Sequence, residues 1–222
     1  MAQQPAPILV AAAADLARAQ DSLAASFAKS GPYRVRFSLG ASGMLARQIE
    51  NGAPFDVFLS ANEQFVRQLA AAGKLEDIKI YAQGRLGLWS RSGRIRTPAD
   101  LAGPDVRHVA IANPLHAPYG LAAQQALEKL GLWEKLKPRL VLGENVQQAF
   151  EYAGTGNADA VITAWSLVFD RGGIQLPADL HAPIRQAGGV VSGSRNKAAA
   201  TAFLEFLNGP AGRAVLERWG FR

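Results

Sequence analysis

Cysteine is absent from the 222 residues, which excludes disulfides, thiolate catalysis and cysteine metal sites while leaving the compartment open. Histidine is scarce. His108, His116 and His181 have no partner four residues away, so spacing offers no metal cluster. No apolar run approaches the roughly 20 residues needed to cross a bilayer. Charged residues are only 19% against 49% hydrophobic, a globular rather than a disordered composition. The net charge of +6 favours anionic partners at long range, but it is spread along the chain and marks no site. Spacing gives no Ser-His-Asp set, no paired carboxylates and no phosphate loop ending in Gly-Lys-Ser/Thr. Helix-turn-helix segments, basic arms, repeats and low-complexity stretches are also missing. The chain therefore reads as neither an enzyme nor a nucleic-acid binder.

What is present is a strand–helix alternation that runs twice. The length suits one large domain or two of about 100 residues each. Ile8–Val10 reads as a buried strand, Ala11–Ala14 as a small-residue turn, and Asp15 as the N-cap of a helix over Leu16–Lys29. Tyr33–Ser38 alternates as a strand, and a helix starts at Ser42 after the Gly40–Gly43 loop. Asp56–Leu59 is a short strand and Glu63–Ala72 a helix closed by Gly73. The pattern restarts with strands at 85–91, 109–112, 139–142 and 160–164. Helices are expected at 97–101, 119–130 and 145–153. An extended Ile184–Val191 and helices Lys197–Leu207 and Ala211–Trp219 complete the chain. This is an α/β chain with mainly parallel sheets. The expected division is 1–82 with 190–222 as the first lobe and 83–189 as the second, joined by two extended crossovers. The polar, proline-rich Met1–Pro7 reads as the start of an exported protein whose signal peptide has been removed.

In open α/β sheets, ligands gather at the carboxyl ends of strands. The turns there are Ala12–Asp15, Gly40–Gly43, Ser60–Asn62, Pro114–Gly120, Gly143–Gln147 and Thr163–Ser166. Most are helix N-termini, where amides and the helix dipole favour an anion. Few carry a cation, so neutral donors would hold a fully ionised oxyanion. Hydrogen bonds to a charged group contribute about 1.5–3 kcal/mol each, so several offset the desolvation of a dianion. Each position also has a plainer reading. Ser42, Ser60 and Asp15 are ordinary helix caps, Tyr119 and Trp165 ordinary packing residues, and Arg47 an exposed helix residue.

The motif order is specific. AAAADL at 11–16, GASGMLARQIENGAPFDVFLSAN at 40–62, ANPLHAPYG at 112–120, GENVQQAF at 143–150, GNADAVITAWS at 156–166 and the close at 196–221 span nearly the whole chain. Together they resemble the periplasmic molybdate-binding proteins of ABC transporters, type II periplasmic binding proteins. The resemblance implies two lobes that close on a tetrahedral oxyanion around a two-stranded hinge. It implies molybdate or tungstate as ligand, no cofactor, a membrane permease as partner, a monomer and a periplasmic location. Carried onto this sequence, the ligand set is Ala14 and Asp15 through the first turn, Ser42, Ser60 with the Ala61 amide, Tyr119, and the Val146 amide. Two hydroxyls usual in the family are missing, at Ala14 and Ala164, with Trp165 following the latter. Chromate, sulfate, phosphate and arsenate are the alternative anions, and a ligand-sensing module the alternative role.

Overall fold

The computed structural model describes residues 6–222, and the expectation for Met1–Pro5 lies outside them. Short runs of alternating burial set the strands. In β1 (Ile8–Ala13), Ile8, Val10 and Ala12 face one core and Ala11 the other, the period of two that a strand covered on both faces requires. β2 (Val35–Gly40) and β3 (Val57–Ser60) flank it, both parallel to it. α1 (Gln20–Phe27), α2 (Ser42–Glu50) and α3 (Glu63–Ala71) make the connections. β4 (Leu75–Gly84) leads out of this region and β10 (Ile184–Val191) returns to it, giving a sheet of order β2-β1-β3-β10-β4. β10 runs antiparallel to β3. α8 (Lys197–Asn208) and α9 (Pro210–Arg218) close the unit. Phe27, Phe203 and Phe206 meet on that face, the first two edge to face at 5.0 Å. On the other face Leu45 and Ile49 of α2 and Val66 and Leu69 of α3 pack around Phe58. Each such side chain, once buried, contributes about 1.5–3 kcal/mol.

The second region repeats the plan. β5 (Leu86–Trp89), β6 (Val109–Ala112), β7 (Leu140–Gly143), β8 (Ala160–Ala164) and β9 (Ile174–Gln175) form a sheet of order β7-β6-β8-β5-β9. β6, β7 and β8 are parallel, and β5 is antiparallel to β8 and β9. The helices are α4 (Pro118–Lys129), α5 (Trp133–Leu136), α6 (Val146–Thr155) and α7 (Trp165–Val168). No helix among the described residues is long and apolar enough to cross a membrane.

Contacts divide the chain into Met1–Gln83 with Arg185–Arg222, and Gly84–Ile184. Residues 185–189, expected in the second lobe, thus fall in the first unit. The reason is pairing: Ala187–Val190 lie opposite Ser60–Val57 of β3. β4 reads as no strand in the sequence because its Glu-Asp-Ile-Lys-Ile run is that of an edge, with Ile78 and Ile80 exposed. Asp15 also departs from expectation. It caps no helix, a 3-10 turn covers Ala14–Leu16, and α1 begins only at Gln20.

Candidate functional site

In the first unit, β1, β2 and β3 are parallel and in register, with Ala13 opposite Gly40 and Ala12 opposite Leu59. Their carboxyl ends therefore lie along one edge of the sheet. Ala14–Asp15, Ser42 and Ser60–Ala61 follow directly, so topology brings together every first-unit residue proposed from sequence. Ser42 opens α2 just after its N-cap, Ala41, and is 1% exposed. Its Oγ accepts the Ala61 amide at 3.0 Å. The Ala61 amide proposed from sequence is thus tied to the Ser42 hydroxyl. The hydroxyl still has a hydrogen of its own to give. Ser60 is occupied within its own turn. Its hydroxyl donates to the Asn62 carbonyl at 2.8 Å and accepts the Asn62 amide at 3.0 Å. Asn62, not Ser60, caps α3, accepting from Gln64 N.

Asp15 is buried, and one of its partners is a side chain of a distant strand. Its Oδ2 accepts from Gln186 Nε2 of β10, and Gln186 Oε1 accepts from the Tyr81 hydroxyl of β4 at 2.7 Å. The edge is thus stitched by side chains. The Ser42–Ala61 bond joins the ends of β2 and β3 across β1. The Asp15–Gln186 bond joins β1 to β10 across β3. Gln186 and Tyr81 carry no local signal in sequence, since only tertiary pairing gives them partners.

In the second unit, the ends of β6, β7 and β8 likewise share an edge, with Ala112 opposite Gly143. Tyr119, 3% exposed, is in the first turn of α4 behind Pro118, whose fixed φ suits a helix start. A Cβ on Gly120 would stand 2.2 Å from the Ala112 carbonyl oxygen, so only glycine lets this turn press onto β6. Val146 is the first residue of α6. Asn145 caps that helix by accepting from Gln147 and Gln148 at 3.0 and 3.1 Å, leaving the Val146 amide outside the cap at the helix tip. The Thr163 hydroxyl donates to the Val146 carbonyl at 3.0 Å and fixes that tip to β8. A Cβ on Gly143 would meet Ala149 N at 2.6 Å, so β7 and α6 also depend on glycine for their approach. Ala164 ends β8 with no hydroxyl, and Trp165 packs beside Phe169 and over Gly87. Among the described residues no group of three His, Asp or Glu side chains is placed to hold a metal ion.

A family profile described as bacterial extracellular solute-binding protein matches residues 8–222. The chain is 36% identical over 221 residues to the molybdate-binding protein ModA of Rhodobacter capsulatus, covering 96% of this chain and 87% of that one. With the ModA of Azotobacter vinelandii identity is 37% over 230 residues, covering 99% and 91%. The solved Azotobacter vinelandii periplasmic molybdate-binding protein matches with a TM-score of 0.91 at 33% identity over 97% of this chain and 98% of that one. The sulfate-binding protein SubI of Mycobacterium tuberculosis, at 19% identity and a TM-score of 0.82 over 98% and 87%, shares the fold.

Proposed function

This chain belongs to the bacterial extracellular solute-binding proteins, and from that membership we propose that it captures molybdate for an ABC importer. It acts by binding rather than catalysis, as the periplasmic oxyanion-binding component, and takes no cofactor. One observation supports this ligand class most: strand-end turns in both units present hydroxyls and helix-tip amides, with no Lys or Arg among the assigned residues. Those residues are Ser42 supported by Ala61 and Ser60, the Ala14–Asp15 turn, Tyr119, and the Val146 amide. Such neutral donors suit an anion that stays fully ionised near neutral pH, since none is lost to a proton. Tungstate, with the same shape and charge, is the expected second ligand. The partner is a membrane permease, and the protein works as a monomer.

The test is a thermal-shift panel of molybdate, tungstate, sulfate, phosphate, chromate and arsenate, followed by calorimetry. At 100 times its dissociation constant a ligand stabilises the native state by about 2.7 kcal/mol. Shifts with molybdate and tungstate above all others are expected. A shift with another anion and none with these two would replace the ligand.

A further inference from the structure

The seat of α6 is smooth. On the face of the second sheet that it covers, Ala110 and Val161 pack with Ala149 and Ala153, and Gly143 lies against Ala149. Small side chains let the helix lie close, but they give few ridges to keep it from sliding or turning. The two central strands, β6 and β8, are apolar along their whole length with one exception. Thr163, two residues beyond Val161 and so on the same face, carries a hydroxyl and is fully buried. Valine would satisfy the pattern of that strand and fill nearly the same space.

The hydroxyl serves the tip of the helix. It donates to the Val146 carbonyl at 3.0 Å. That carbonyl, the first of α6, has two lone pairs, one for the helix ladder and one for Thr163. Three amides around the tip are taken by side chains. Asn145 accepts from Gln147 and Gln148, and Gln148 Oε1 accepts from Glu144 at 2.6 Å. Val146 stands among them with its amide outside the cap and its carbonyl tied to β8. A hydrogen bond is directional where alanine contacts are not, so this one sets the angle at which the tip stands over the strand end.

We infer that Thr163 is a positioning residue for oxyanion binding: by holding the Val146 carbonyl to β8 it aims the Val146 amide at the anion. The inference rests on the oxyanion reading above, which assigns that amide to the ligand. Thr163 acts at one remove, since its hydroxyl hydrogen is directed at Val146. A donor weakens steeply with misalignment, so a tip free to rock would lose affinity without losing its fold.

Molybdate calorimetry and urea unfolding of two full-chain variants test it, because the two readouts should part company. Thr163→Val keeps the shape and removes the donor, and should weaken binding about tenfold. Thr163→Ser keeps the donor and deletes a buried methyl, so it should bind within about twofold of the parent while unfolding at lower urea. Thr163→Val binding as tightly as the parent, or Thr163→Ser binding as weakly as Thr163→Val, would overturn the inference. If Thr163→Val does not fold, Thr163→Ala takes its place with the same readings. If the parent binds neither molybdate nor tungstate, the oxyanion reading falls and amide relaxation measured by NMR decides the positioning role by itself. The Val146 N–H order parameter should then be lower in Thr163→Val than in the parent and in Thr163→Ser. Equal values would overturn it.

Discussion

Two buried aspartates stand at opposite ends of the same sheet, and they are used in opposite ways. Asp56 precedes β3 at its amino end, and Asp15 follows β1 at its carboxyl end. Asp56 accepts the Leu9 amide at 2.7 Å, the Ser194 hydroxyl at 2.6 Å and the Asn196 amide nitrogen at 3.2 Å. Its own amide and carbonyl continue the ladders to Leu9 and Val191. A cavity of about 820 Å³ opens beside it, lined by Ile49, Phe55, Lys74 and Arg195 among others, yet both of its oxygens are already engaged. Asp15 accepts from a glutamine side chain of β10, and α1 begins only at Gln20. A carboxylate that takes backbone amides fastens a fold. One that meets the side chain of a strand two places away ties the sheet's other edge together.

Breaking the fastener should have the largest effect. Asp56→Ala strands the Leu9 amide and two side-chain donors, and should lower unfolding free energy by about 3–5 kcal/mol in a urea titration. The molybdate affinity of the folded fraction should hardly move, which separates the two ends of the sheet. Ser42→Ala comes next. It removes a ligand donor and the acceptor of the Ala61 amide together, and should weaken molybdate binding by about 2 kcal/mol in calorimetry. A Ser42→Ala protein that binds as tightly as the parent would move the site off this edge. Tyr119→Phe in the second unit loses one donor and leaves no acceptor behind, so about 1 kcal/mol of affinity is expected.

The smallest effect concerns Asp159, an exposed counterpart of Asp56 just before β8. Its modest burial works against the charge, but the His108 and Arg107 amides, at 2.9 and 2.7 Å, hold its carboxyl below the ordinary range. A lowered folded value means stability that is present above the unfolded value of 3.8 and lost as pH falls through the folded one. The stability gap between the parent and Asp159→Asn should therefore be steady near neutral pH and shrink below about pH 4. A gap that widens in acid would contradict the assignment.

The parallel strands and their helices were legible because their apolar periods are unambiguous: Val57–Leu59, Val109–Ala112 and Ala160–Ala164 could be little else. The strand-end turns were legible too, since topology alone gathers Ser42, Ser60 and Ala61. What escaped was decided by distant partners. β4 is an edge with charges along it, and α7 and β9 are too short for a period to show. Gln186 sits in an Arg-Gln-Ala-Gly-Gly run with nothing local to mark it. Asp15 is the instructive error. Its cap signal was plain, yet α1 begins only at Gln20 and the carboxylate meets Gln186 of a distant strand.

The stitching at the carboxyl edge has a mechanical consequence. Each tie passes over one strand and knots the two on either side, like thread in a hem. Pulling β1 out of the first sheet would load the Ser42–Ala61 tie that crosses it and the Asp15–Gln186 tie that it carries. Force on one strand is thereby shared with strands it does not touch, and the hemmed edge should give way as a block rather than thread by thread.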